Sequence, residues 1–339
     1  AHYGPLLPPK LGGTTLQSYT HGLKRIKALL AALSLAALLW GCGGEPEQTK
    51  VELADPIGGS SIVTAADLVA FLEKGESNTA QLSADISLEG EMLRITKARD
   101  GLVIDGNGFT LSGAGDCVLR LDEGCSVTLN DITIHSGSDA IGCLGSASIG
   151  GSGARLIGVG NGIRAEGEVT ILAGSSIECE ANVGMGFTSS GLALQTGAGL
   201  LASGPMGGVN VSGEISVESG GRLAAYTDEN YNALKCGGTL TLEDGSTLIA
   251  ENRGEYHGAE ITALAVNGAV TIEAKGGKTF SGLFLFEQLQ NIAVIGSCEP
   301  KARFESGKGS ILFVESEADL PTDAELNPQP TATPPAEAE

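Results

Sequence analysis

The chain has 339 residues, 41 acidic against 20 basic, for a formal net charge of −21. Phosphate-backbone binding draws on Lys and Arg clusters that such a sequence lacks, so nucleic acid is excluded as a partner. A hydrophobic content of 42% supplies a core and excludes bulk disorder. The 51 glycines, about twice the usual ~7%, follow no Gly-X-Y period, which removes collagen and leaves a Gly-punctuated, repetitive β fold.

Residues 1–23 fit no element and are set aside as an extension upstream of the true start. Residues 24–41 open with Lys24-Arg25-Ile26-Lys27 and continue as an apolar run from Ala28 to Trp40. A basic stretch, a short apolar stretch and small residues at the end describe a secretory signal. The run is also shorter than the ~20 residues a spanning helix needs. Leu39-Trp40-Gly41-Cys42 resembles a bacterial lipobox. That resemblance implies lipidation of Cys42, export, and attachment to the outer face of an envelope membrane without spanning it. The plainer alternative is a buried helix ending in a free Cys. Residues 42–59 then form a linker.

Thr64-Ala65-Ala66-Asp67 followed by Leu68, Val69, Phe71 and Leu72 predicts a capping box that opens a short amphipathic helix. Beyond it lies a repeat, tested first because it decides the fold. The apolar-polar-apolar triplets Val127-Thr128-Leu129, Ala147-Ser148-Ile149, Val169-Thr170-Ile171, Leu192-Ala193-Leu194, Ile215-Ser216-Val217, Leu240-Thr241-Leu242 and Val270-Thr271-Ile272 end at intervals of 20, 22, 23, 23, 25 and 30 residues. Each reads as a short strand with one inward face.

Three residues past each triplet comes Gly174, Gly197, Gly220 or Gly245. A second strand follows with Ile177, Leu200, Leu223 or Leu248 inward, then Cys179, Ala202, Ala225 or Ala250. A third carries the inward pairs Ile141/Cys143, Ile163/Ala165, Val209/Val211, Leu234/Cys236 and Leu264/Val266. Three strands per coil of ~23 residues, stacked ~4.8 Å apart, make an all-β parallel β-helix of about nine coils and roughly 40 Å. Phe284, Leu285 and Phe286, with Ile311, Leu312 and Phe313, are expected to close the far end. Residues 316–339, acidic and rich in proline, read as a solvated tail.

The helix cap, "ISLEGEMLRI" at 86–95, "LVIDGNGFTLSG" at 102–113 and the 22–25-residue coils resemble right-handed β-helices of the pectate-lyase-like superfamily, over about residues 60–315. The resemblance implies a right-handed coil and leaves activity open, since that superfamily holds lyases, hydrolases, adhesins and inert rods. Members that cleave polygalacturonate use acidic Ca²⁺ sites with an Arg base, or aspartates with a His and a basic pair. Neither pattern is present: Arg164, Arg222 and Arg253 stand apart, and only His135 and His257 lie beyond the signal.

Two constellations merit testing. Asp116, Asp139 and Asn161, at spacings of 23 and 22, precede successive third strands. Carboxylates stacked about 5 Å apart would suit Ca²⁺, or the acid pair of a retaining glycosidase. Asp and Asn are equally ordinary turn residues. The second set lies in the loops of adjacent coils: Tyr226, Asp228 and Tyr231, then Arg253, Tyr256 and His257. Tyr231 and Tyr256 are 25 residues apart and are expected to stack. Exposed aromatics beside polar groups suit sugar binding, and the alternative is an aromatic ladder that merely orders two loops.

The six later cysteines read as small core hydrophobes in Cys143, Cys179 and Cys236. Cys117–Cys125 is the one pair left open as a disulfide. No His/Cys spacing supports a metal. The sequence thus points to a non-catalytic, lipid-anchored surface scaffold that binds a glycan or a cell-surface molecule, as in adhesion, and requires no cofactor. A polysaccharide lyase or glycoside hydrolase is the alternative reading, and a spacer rod the third.

Overall fold

A computed structural model describes residues 60–74, 77–288, 290–307 and 309–326. Cys42 and the signal expected at 24–41 lie outside the described residues, as do residues 327–339. Among the described residues no helix is long and apolar enough to cross a membrane.

The protein is a parallel β-solenoid. Apolar residues two apart point to one side of each short strand, and a coil of about 23 residues returns the chain beneath itself to pair with its equivalent. The first face runs from Ser60–Ile62 and Thr79–Leu82 through Leu102–Asp105 and Cys125–Asn130 up to the second half of Ala259–Asn267. The second face stacks eleven strands from Ile86–Ser87 to Ile311–Val314. The third runs from Leu93–Ile95 to Arg303–Gly307. Eleven coils span roughly 50 Å by the strand spacing. The nine expected from the repeat omitted the irregular coils at either end.

The inward rows are nearly all aliphatic, with Phe187 the largest buried side chain. It occupies the row of Ile163 and Val209. Cys179, Ala202, Ala225 and Ala250 stack as expected, and the small row continues into Ala274 and Cys298. All six cysteines of the solenoid are free, Cys117 and Cys125 included, on two different faces. Burial pushes the Cys143 thiol up to about 12 and that of Cys236 up to about 11, so neither carries the thiolate that reacts. The turn after the first face requires a left-handed residue, and Gly174, Gly197, Gly220 and Gly245 adopt φ of 67°, 66°, 68° and 71° there.

Two positions depart from the expected register. Ala147-Ser148-Ile149 pairs with Cys125-Ser126-Val127, while Val127-Thr128-Leu129 faces the preceding Leu102-Val103-Ile104. At the other end Leu240-Thr241-Leu242 pairs with Leu264-Ala265-Val266. Thr271 and Ile272 instead lie on the second face, beside Thr247 and Leu248. Leu264/Val266 is therefore a first-face pair, and Ala259 and Ile261 hold the third-face positions. Counted along the true row Val127, Ile149, Ile171, Leu194, Val217, Leu242, Val266, the steps become 22, 22, 23, 23, 25 and 24 residues. The outlying intervals of 20 and 30 disappear.

The N-terminal end is covered by the helix Ala65–Lys74, which buries Leu68 and Phe71. Its capping box forms: the Asp67 carboxylate accepts from the Thr64 backbone N–H at 3.0 Å and the Asp67 N–H donates to Thr64 Oγ1 at 3.2 Å. The C-terminal end differs from expectation. Leu285 points inward, but Phe284 and Phe286 alternate with it onto the outer surface. Ile311 and Phe313 pack against the core while Leu312 faces out.

Losing the capping oxygen leaves helix N–H groups without partners, so Thr64→Ala is expected to lower the unfolding free energy by about 1 kcal/mol. Urea denaturation followed by far-UV circular dichroism checks this, with an unchanged m-value expected.

Candidate functional site

The bends between the second and third faces at 228–233, 253–258 and 276–282 stack on one another, and the residues of greatest chemical interest gather there. Tyr226, next to last in the strand Arg222–Thr227, is half-buried in register with Glu251, and burial raises its phenol pKa. Asp228 and Arg253 meet across coils at 3.5 Å (Oδ1 to Nη1). Arg253 Nε also donates to Glu251 Oε1 at 3.2 Å, and Lys275 approaches the same carboxylate at 3.7 Å. These half-exposed pairs orient the bend more than they stabilise it.

Tyr231 and Tyr256 are 47% and 41% exposed. The ring that stacks on Tyr256 is Phe280, one coil further along, with centroids 5.0 Å apart and planes 2° from parallel. His257 meets Phe280 edge-on at 4.9 Å and lies over Phe284 at 4.8 Å, and Phe284 meets Phe286 edge-on at 5.2 Å. The expected Tyr231–Tyr256 pair is thus displaced by one coil. The result is a continuous aromatic patch of Tyr256, Phe280, His257, Phe284 and Phe286. The sequence reading leaves out Phe280 and assigns Phe284 and Phe286 to the closing end, although the alternation around Leu283 and Leu285 carries the signal for an outward pair.

A polar frame holds the patch. The buried Asn252 amide donates to the carbonyl oxygens of Tyr231 and Glu229, fixing the bend that carries Tyr231. Asn232 Oδ1 accepts from the His257 N–H at 3.2 Å, and Asn232 Nδ2 donates to Glu260 at 2.8 Å. Lys235 completes the rim at 3.2 Å from Glu260. His257 is buried, its Nδ1 2.9 Å from Ser281 Oγ.

The acidic set is arranged differently. Strand register places Asp139 beside Cys117, so Asp116 lies one residue off that row and is exposed. Asp139 is buried, and its Oδ1 accepts from the Asn161 N–H at 2.9 Å and from Asn161 Nδ2 at 2.7 Å. Oδ2 lies 3.9 Å from Arg164. Asn161 passes the pattern on by accepting from the Met185 N–H at 3.2 Å. This is a ladder in which each side chain satisfies the backbone of the next coil. Among the described residues no three His, Cys, Asp or Glu side chains converge as a metal centre.

No family model, no curated protein and no solved structure matches this chain.

Burial lowers the His257 pKa, and Arg303 acts in the same direction; the Ser281 hydrogen bond and Glu260 oppose them. The unfolded chain, at about 6.5, then binds the proton more tightly than the folded one. His257's contribution to stability is full above about pH 6.5 and is lost as pH falls through the lower folded-state value. Thermal unfolding between about pH 5 and about pH 8 is expected to show a steeper acid-side fall for the parent chain than for His257→Gln.

Proposed function

We propose that this chain is a non-catalytic surface module whose β-solenoid displays a carbohydrate-binding aromatic patch. The observation that carries the reading is the parallel stack of half-exposed Tyr256 on Phe280, continued through Phe284 to Phe286, itself 39% exposed. An aromatic ring matches the apolar C–H face of a sugar, and nearby charged and amide groups match its hydroxyls. Of the expected set, Tyr226, Asp228, Tyr231, Arg253 and Tyr256 form the proposed ligand-contacting surface, with Phe280 and Phe286 added to it. His257 acts through the position it gives Phe280 and Phe284. The net charge of −21 favours a neutral glycan over a polyanionic one.

The setting of this module is a bacterial cell envelope. Lys24-Arg25-Ile26-Lys27, the apolar run to Trp40 and Cys42 support export and lipid anchoring. The coil lengths and the N-terminal helix support kinship with right-handed β-helices of the pectate-lyase-like superfamily. A rigid solenoid suits this role, because loops ordered coil by coil hold a binding surface at fixed spacing.

The test is a glycan array probed with the full chain, with and without Ca²⁺, followed by calorimetry on any hit. Tyr256→Ala and Phe280→Ala are each expected to weaken binding about tenfold with the far-UV spectrum unchanged. Turnover of the bound glycan, or indifference to both substitutions, would overturn the reading.

A further inference from the structure

The two ends of the solenoid are finished differently. The first coil is covered by the helix Ala65–Lys74, with Leu68 and Phe71 buried beneath it. On the third face the last strand, Arg303–Gly307, pairs among the described residues only with the strand before it, Leu283–Gln288, and every residue in it is exposed. Phe304 occupies the inward row, in register with the fully buried Leu285, yet is 37% exposed because no further third-face strand follows it among the described residues. An unpaired strand edge flanking an apolar inward residue is a template for another strand.

We propose that this edge pairs with the same edge of a second copy, in an antiparallel contact about a two-fold axis through Phe304. The argument is the order of the charges. Arg303 and Glu305 flank Phe304 and point outward with Phe284 and Phe286. Neither forms an ion pair within the described residues. Antiparallel pairing centred on Phe304 sets Arg303 of each copy opposite Glu305 of the other, twice by symmetry, and sets Phe304 against Phe304. Opposite charges directly across an antiparallel pair favour it, and like charges oppose it. A contact that is self-complementary in this way closes as a dimer and does not propagate. Residues 327–339 are a poor alternative occupant of the edge, because Pro328, Pro330, Pro334 and Pro335 lack the N–H groups a ladder needs.

Sedimentation equilibrium of the full chain from about 1 to about 200 µM tests this, a range suited to a small interface. Arg303→Glu and Glu305→Arg are each expected to raise the concentration at half-dimerisation at least about tenfold, and the combined exchange to restore it. Both positions lie on exposed strand, and an unchanged far-UV spectrum establishes that each of the three variants folds. A monomer throughout the range would overturn the proposal. So would a dimer indifferent to the single reversals, or single variants that the exchange fails to rescue. A chain that dimerises only once residues 327–339 are removed would assign the edge to the tail, which also overturns it.

Discussion

The constraint on which everything else depends is that each strand hydrogen-bonds to its own equivalent one coil away. A side chain in this protein is therefore surrounded by its row as much as by its neighbours in sequence. Every row must tolerate itself at about 4.8 Å. Inward rows satisfy this with aliphatic side chains, and with a column of small ones from Cys179 through Ala202, Ala225, Ala250 and Ala274 to Cys298. Among the described residues the acidic side chains, Asp139 apart, lie on outward rows and bends, where solvent and neighbouring cations screen them. The cysteines follow from the same rule. They are core residues of modest volume, and burial in apolar surroundings keeps their protons on.

Bends between faces pose the opposite difficulty, since the backbone leaves its ladder there and must find other partners. The protein solves this with side-chain ladders that run along the solenoid axis. Asp139 serves the N–H of Asn161, Asn161 serves that of Met185, and Asn232 serves that of His257. Asn252 serves the carbonyls of the bend carrying Tyr231. An Asp held in this way serves as a structural acceptor for the next coil, while Asp116 lies exposed one residue off its row. The same ladders give the loops their precision. The rings of Tyr256 and Phe280 stack with planes 2° from parallel because the bends that carry them are fastened coil to coil.

Most of the fold was legible in the sequence because period-two alternation and a fixed coil length are both written in residue identity. Alternation states which side chains face inward without stating on which face a strand lies. Leu264 and Val266 show the consequence: two apolar residues two apart satisfy a first-face and a third-face strand equally well. The ambiguity bites where Leu234–Glu243 and Ala259–Asn267 run through the corner as single long strands. Without a turn to mark the corner, the coil boundary moves, and Gly268, in the bend that leads to the second face, takes on the look of the missing corner. Cys125–Asn130 misleads for a related reason, being long enough to pair by one half with the coil behind and by overlapping residues with the coil ahead. Interval regularity was the overlooked guide, since correct register removes both outliers.

The candidate site was legible only in part, and the reason lies in how aromatic residues are judged. In a run such as Phe284-Leu285-Phe286, three apolar residues together suggest a closed end, and hydrophobicity alone favours burial of all three. Geometry permits one. Leu285 is inward, so both phenylalanines face solvent, where a monomeric surface has no need of them. Before Tyr226 the exposed large hydrophobics, Val63, Leu144, Val159, Val183 and Met206, are all aliphatic, and Val183 stacks on Val159 one coil away. From Tyr226 onward the aromatics cluster instead, in the coils where the strands lengthen and the repeat loses its regularity. A repetitive scaffold can specify a unique surface only where it departs from repetition, because identical coils offer identical faces. The departure that obscured the register between 234 and 272 is the same one that sets Tyr256, Phe280, Phe284 and Phe286 on a common surface.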